Sequence, residues 1–195
     1  MSNCHRLEGK VAIVTAATKG IGLAIAERLG REGAAVVICS RNQKNVDDAV
    51  NYLKSKGISR TIEKFNKIDI LINNHGINPA FGHILEVDEK IWDKLFEVNV
   101  KAGWQLTKLV HPHMVKNGGG SIVFNASFSA YKSPPLWSGN GDEGEKEMVD
   151  AMEVPLGRLG VPEECAGAVA FLVSDDAKYI TGETILIAGG VHARL

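Results

Sequence analysis

Two apolar runs in this chain end in residues suited to holding a phosphorylated ligand. The first, "KVAIVTA" (Lys10 to Ala16), passes into "TAATKGIG", Thr15 to Gly22, where a stretch with helical spacing opens. Gly20 and Gly22 allow the backbone to approach a pyrophosphate. A helix starting there also turns free N–H groups and the positive end of its dipole toward the ligand. Thr15, Ala17, Thr18, Lys19 and Ile21 fill the same turn. The second run, "AAVVICS", ends in Ser40, Arg41 and Asn42. An NAD site commonly has an acidic residue at that point to hold the ribose hydroxyls. Arg41 instead offers a charge-assisted fork for a 2′-phosphate, and Lys19 adds a second positive charge. These residues suit NADP(H), and hydride transfer belongs to its nicotinamide.

The elements that would position them follow from hydrophobic spacing. After the first strand, "GIGLAIAERLGREG" carries apolar residues at helical intervals and stops at a glycine. "AAVVICS" reads as a second buried strand and "RNQKNVDDAVNYLKSKG" as an amphipathic helix closed by Gly57. "KIDILINNHG" is a strand running into a turn that holds Asn73, His75 and Gly76. A helical stretch from Val87 to about Lys116 precedes the strand "SIVFNA". "PEECAGAVAFLVSDDA" reads as a helix with proline at its start, and "TILIAGG" as a last strand. Strands alternating with helices predict a single α/β domain over residues 1–195, a Rossmann-type doubly wound parallel sheet with helices on both faces.

The totals narrow the function. Among 195 residues, 22 are Lys or Arg and 23 are Asp or Glu, for a net charge of -1. That balance gives no electrostatic case for nucleic acid or an anionic membrane surface. Cys4, Cys39 and Cys165 are odd in number and far apart, which argues against a disulfide frame or a zinc site and for a reducing compartment. His111 and His113 flank Pro112 without a third ligand, so no metal is expected. No apolar run approaches membrane-spanning length.

Taken together, "TAATKGIG", "NNHG" (Asn73 to Gly76), Asn99 in "NVKAG", Ser127 and "RLGVPEECAGAVAFLVSDDAKYITGE" resemble the short-chain dehydrogenase/reductase family, in its single-domain form, from about Leu7 to Val191. The branch most similar is that of the peroxisomal NADPH-dependent carbonyl (retinal) reductases. The resemblance implies an NADP(H)-dependent reductase of ketones, diketones or retinal-like carbonyls, reversible as an alcohol oxidation. It implies a homo-oligomer, a dimer or tetramer, because the family's long helices pair across subunits. In the family a serine holds the substrate oxygen and an asparagine anchors a water relay. Those roles fall on Ser127 and Asn99, with Ser129 as competitor for the first. Asn73 and Gly76 would approach the cofactor ribose through their backbone. The chain departs from the family at Ala16, where glycine is usual, at His75, where alanine is common, and at Ala188, where an acidic residue is common.

The family's tyrosine and lysine are the exception to the match. By family spacing the tyrosine falls near residue 140, which is Asn140. Tyr52 and Lys56 have the Tyr-x-x-x-Lys spacing but sit at the end of the helix after the second strand, away from the cofactor edge, and read as a surface pair. Tyr131 and Tyr179 have Pro135 and Glu183 at the lysine position. The strand–helix rhythm breaks near Arg60/Thr61 and Pro135/Leu136. Family members run to roughly 250 residues, so one edge strand with its helix, and the helix and strand bearing the tyrosine and lysine, are missing. Discontinuities are expected at both places, and the last strand is expected to lack a neighbour. The alternative to an active enzyme is an inactive, truncated member that binds nucleotide or a partner subunit. Leu136, Trp137, Met148 and Met152 are candidates to line an apolar substrate pocket. Ala193-Arg194-Leu195 resembles the S-K-L peroxisomal address, with the cytoplasm as the other location.

Overall fold

The computed structural model describes residues 5–58, 67–80, 82–130 and 141–191. Its elements run β1 (Val11–Thr15), α1 (Gly20–Arg31), β2 (Ala35–Cys39), α2 (Gln43–Ser55), β3 (Ile70–Asn73), α3 (Glu89–Phe96), α4 (Ala102–Lys116), β4 (Ser121–Phe124), α5 (Gly141–Met152) and α6 (Pro162–Leu172). The four strands form one parallel sheet in the order β2-β1-β3-β4. Such a sheet needs cover on both faces, which is why its strands are apolar throughout rather than alternating.

The pleat divides those strands between two cores. Ala12 and Val14 of β1, Val36 and Ile38 of β2, and Ile70 and Ile72 of β3 face Ile25, Ala26 and Leu29 of α1, Ala49, Val50 and Leu53 of α2, and Ala166, Val169 and Ala170 of α6. On the other face Leu71, with Ile13 and Ile122 beside it, meets Val110, Met114 and Leu106 of α4. The first core is the larger, so most of the hydrophobic stabilisation lies there, at about 2 kcal/mol for each fully buried aliphatic side chain.

Local signals set the helix ends. The Asn42 side chain accepts from the amide of Asn45 and caps α2. Gly33, at φ +99, and Gly57, at φ +80, follow the ends of α1 and α2 in the left-handed conformation that favours glycine. Pro162 opens α6, where a missing N–H costs nothing. The region read as one helix from Val87 to Lys116 is helical from Glu89, but Glu97–Lys101 is a π turn between α3 and α4. Such turns concentrate at functional sites, and this one carries Asn99.

The run "TILIAGG", read as a last strand expected to lack a neighbour, forms no strand. Thr184 to Gly190 joins no strand, and Ile185, Leu186 and Ile187 are 44%, 40% and 45% exposed. A parallel strand needs a hydrogen-bonded neighbour, and among the described residues none lies beyond β4. The expected discontinuities at Arg60/Thr61 and Pro135/Leu136 lie outside the described residues. No described helix is long and apolar enough to cross a membrane, and no described cluster of side chains could hold a metal ion.

Candidate cofactor and active site

The sequence-derived site residues gather at the carboxyl ends of the strands, the edge where open parallel sheets bind ligands. Thr15, the last residue of β1, is the hub. Its buried hydroxyl lies 2.9 Å from the Asn74 amide, 3.1 Å from the His75 amide, 3.2 Å from the Ile72 carbonyl and 2.9 Å from Nδ1 of His75. The Asn74 side chain donates to the carbonyls of Thr15 and Ala16, each at 3.2 Å, and accepts from Nδ2 of Asn125 at 2.7 Å. One side-chain network thus ties the ends of β1, β3 and β4 into a floor.

The turn above that floor is tight. A Cβ added at Gly22 would lie 2.6 Å from the Ala16 carbonyl oxygen and 2.9 Å from Cα of Ala17, and would overlap the Asn74 side-chain nitrogen. At Gly22, helix α1 therefore reaches the loop at backbone contact distance. Gly20 has φ +55 with open space around it, so its requirement is conformational. Ala16 has φ +50, a left-handed backbone at the position where the resemblance leads one to expect glycine. That conformation costs an L-residue about 1 kcal/mol, so Ala16→Gly should raise the unfolding free energy by about that much in a denaturant titration.

Ala17 donates its amide to the Cys39 carbonyl at 3.4 Å, which brings the end of β2 beside the loop. Ser40, Arg41, Asn42 and Lys19 are exposed and Thr18 is half-buried. Lys19 and Arg41 make no ion pair with described residues. Asn42 serves α2 as its cap. Asn99 grips the turn after β3 from the π turn, accepting from the Ile77 amide at 2.8 Å and donating to the Ile77 carbonyl at 2.9 Å. Gly76 stands next to it, and a Cβ there would make only an ordinary contact with Asn99. The Asn73 side chain is buried toward α4, near Gly103, without a hydrogen-bond partner. Its carbonyl accepts from the Asn125 amide at 2.9 Å, continuing the β3–β4 ladder.

Ser127 follows β4 at the same edge. Its Oγ lies 3.0 Å from Oγ of Ser129 and accepts from the Ser129 amide at 3.1 Å, so the two competing serines are partners. Ser127 is exposed and its hydroxyl is held from one side only. Tyr52 and Lys56 are a surface pair, as expected. The Tyr52 hydroxyl donates to Glu27 at 2.7 Å, and the Lys56 ammonium sits 5.3 Å from the ring centroid. The bond to Glu27 pushes the phenol above its usual range, opposite to what a proton-transferring tyrosine requires. Tyr179 is fully exposed. Met152 is buried and Met148 half-buried on α5, whereas Asn140, Tyr131, Leu136 and Trp137 lie outside the described residues.

Asn74 and Asn125 escaped the sequence reading. The available signal was an asparagine directly after each of two apolar runs, in "NN" and "FNA".

Known proteins are similar to this chain over nearly its whole length. The family model described as enoyl-(acyl carrier protein) reductase matches residues 15–138 and 133–192. Dehydrogenase/reductase SDR family member 4 of Caenorhabditis elegans is 55% identical over 259 residues, covering 100% of this chain and 99% of the relative. This chain belongs to the short-chain dehydrogenase/reductase family. The human protein of the same description is 37% identical, covering 100% of this chain and 92% of its own length. The crystal structure of L-sorbose reductase from Gluconobacter frateurii, complexed with NADPH and L-sorbose, has a TM-score of 0.89 at 26% identity, covering 98% of this chain and 100% of that one. The worm alignment spans 259 positions and this chain has 195 residues, which leaves 64 positions with no residue opposite them.

Proposed function

We propose that this chain binds NADP(H) across the carboxyl ends of β1, β2 and β3, in a site built for hydride transfer to ketones, diketones or retinal-like carbonyls. The observation that carries the reading is the backbone contact of α1 with the Thr15–Gly22 turn. A side chain at position 22 would collide with the Ala16 carbonyl, Cα of Ala17 and the Asn74 side chain, so glycine there lets α1 start against the turn, where a helix N-terminus suits a pyrophosphate. Thr15, Ala17, Thr18, Lys19, Gly20 and Ile21 line that cradle. Ser40, Arg41 and Asn42 receive the 2′-phosphate side, and Asn73, His75 and Gly76 form the floor beneath the second ribose. The L-sorbose reductase that this chain resembles is described with NADPH bound, which supports the same cofactor here.

When bound, the nicotinamide would supply the hydride for reduction of a carbonyl carbon, and the carbonyl oxygen would need a proton. Ser127, whose hydroxyl hydrogen is directed to Oγ of Ser129, would turn it to that oxygen while the Ser129 amide holds Ser127 in place. Asn99 fixes the turn at Ile77 and so keeps the floor shaped for the cofactor. The proton itself comes in the family from a tyrosine whose lysine partner lowers its pKa. The Tyr52 phenol is pushed up by Glu27 instead, and Tyr179 stands fully exposed. A second reading is favoured by the 64 unmatched positions and by the unpaired run at Ile185–Ile187: nucleotide binding, alone or with a partner subunit, without turnover. Homo-oligomerisation and a peroxisomal address in Ala193-Arg194-Leu195, which lies outside the described residues, belong to the same proposal.

Fluorescence titration of NADPH and NADH, followed by single-turnover mixing with a diketone, separates the readings. NADPH oxidation supports the reductase, saturable binding without oxidation supports the second reading, and no binding contradicts both. Arg41→Ala should weaken NADPH about tenfold, as expected for a lost charged hydrogen bond of roughly 1.5 kcal/mol, and leave NADH unchanged. Equal losses for both nucleotides would remove Arg41 from the 2′-phosphate.

A further inference from the structure

The hydrogen bonds around Thr15 fix the protonation of His75. A hydroxyl has one proton and two lone pairs. The amides of Asn74 and His75, at 2.9 and 3.1 Å, take both lone pairs. Nδ1 of His75, at 2.9 Å, must then accept, and the hydroxyl proton goes to it in preference to the Ile72 carbonyl at 3.2 Å. The imidazole is therefore neutral with its proton on Nε2. An imidazolium would present Nδ1–H as a third donor to an oxygen with two lone pairs. One of the three contacts would have to open, and two of them are the backbone bonds that hold the turn after β3 against the end of β1.

We propose that His75 is a proton-sensitive latch on the cofactor floor: the neutral ring closes the turn 74–76 onto Thr15, and the imidazolium releases it and weakens dinucleotide binding. The inference rests on the assignment of this crevice to NADP(H).

The surroundings leave the ring free to act in this way. Among the described residues, the groups that hold its turn are Thr15 from β1, Asn74 from the turn itself, Asn99 from the π turn and Asn125 after β4, and none carries a charge. Lys19 in the glycine turn and Lys101 beside Asn99 make no hydrogen bond or ion pair with the ring. Burial disfavours the imidazolium and holds the His75 pKa below its ordinary value. The closed floor is thus fully present above the ordinary histidine pKa of about 6.5 and is lost as pH falls through the lowered one.

Two measurements between about pH 8 and about pH 5 test the latch. The first follows the ring nitrogens of the chain without nucleotide by ¹H–¹⁵N NMR. The expected state at the alkaline end is an unprotonated Nδ1 and a protonated Nε2, and this needs no variant. The second compares NADPH affinity in the wild type and in His75→Asn, which keeps an acceptor near the place of Nδ1 but does not titrate. Wild-type affinity should fall about tenfold along the ring's titration, the worth of roughly one hydrogen bond. The variant, whatever its affinity, should keep only the shallow dependence of the nucleotide's own phosphate. A proton on Nδ1 at the alkaline end, or matching pH profiles for the two proteins, would overturn the latch while leaving the cofactor assignment intact. A wild type that binds no NADPH at about pH 8 would overturn both.

Discussion

Gly22→Ala should weaken NADPH binding at least about tenfold, a loss of some 1.4 kcal/mol, and lower the stability of the chain by about 1–3 kcal/mol. The added methyl meets the Ala16 carbonyl, Cα of Ala17 and the Asn74 side-chain nitrogen at once. Two of those are backbone, so moving the Asn74 side chain off the carbonyls of Thr15 and Ala16 relieves only the third contact. Full relief requires that α1 retreat from the turn, which withdraws its first amides from the pyrophosphate. Gly20→Ala is the informative comparison. Its Cβ meets nothing within 4 Å, and only the φ of +55 opposes it, so about 1 kcal/mol of stability should go without a steric block at the crevice. Isothermal titration with NADPH and urea unfolding of the two variants measure both effects. Equal behaviour of the pair would show that close approach at Gly22 is not what the site depends on.

Glu32→Ala should cost about 2–3 kcal/mol, which for a chain of this size lowers Tm by roughly 5–10 °C. Glu32 is only 4% exposed and closes the end of α1. Arg6 reaches it with two nitrogens at 2.9 and 2.8 Å, Arg28 with Nε at 2.6 Å, and Arg6 also touches Asp176 at 3.2 Å beyond α6. The carboxylate therefore joins the segment before β1, helix α1 and the turn after α6. Both arginines keep part of their surface in water, which holds the loss below the roughly 3–5 kcal/mol of a fully buried pair. Burial pushes the Glu32 carboxyl up, but the hydrogen bonds and charges of Arg6 and Arg28 outweigh it and hold the group below the usual carboxylate range. Its contribution is then complete above the unfolded-state value of about 4.3 and is lost as pH falls through the lowered value. Thermal unfolding at neutral and acid pH should show the wild type losing its advantage over Glu32→Ala on the acid side. A constant difference would mean that packing, not charge, is what Glu32 supplies.

Elements that depend on local pattern were legible in the sequence. Apolar runs ending in polar clusters gave β1 to β4, and Gly57 and Pro162 marked helix ends through chemistry confined to a few neighbouring residues. The crevice followed from the same runs, because a parallel sheet brings all its strand ends to one edge. What depends on contact across the sheet was not legible. That Asn74 spans the Thr15 and Ala16 carbonyls, or that Asn125 reaches Asn74, requires the register of three strands that are far apart in sequence. The π turn at Glu97–Lys101 leaves no mark in hydrophobic spacing, since one extra residue in a turn shifts the pattern by less than its own irregularity. "TILIAGG" has the composition of a strand, and composition does not say whether a neighbour exists to pair with it. The break in strand–helix rhythm near Pro135/Leu136 was the better guide to that run.

The most direct measurement is calorimetric titration of the purified chain, of verified intact mass, with NADPH and with NADH at about pH 8, above the ordinary histidine range. Saturable binding at one site per chain, tighter for NADPH and lost in Gly22→Ala, is the result expected of a crevice built by Thr15–Gly22 and Arg41. The absence of saturable heat with either nucleotide, or equal affinity in wild type and Gly22→Ala, would contradict it.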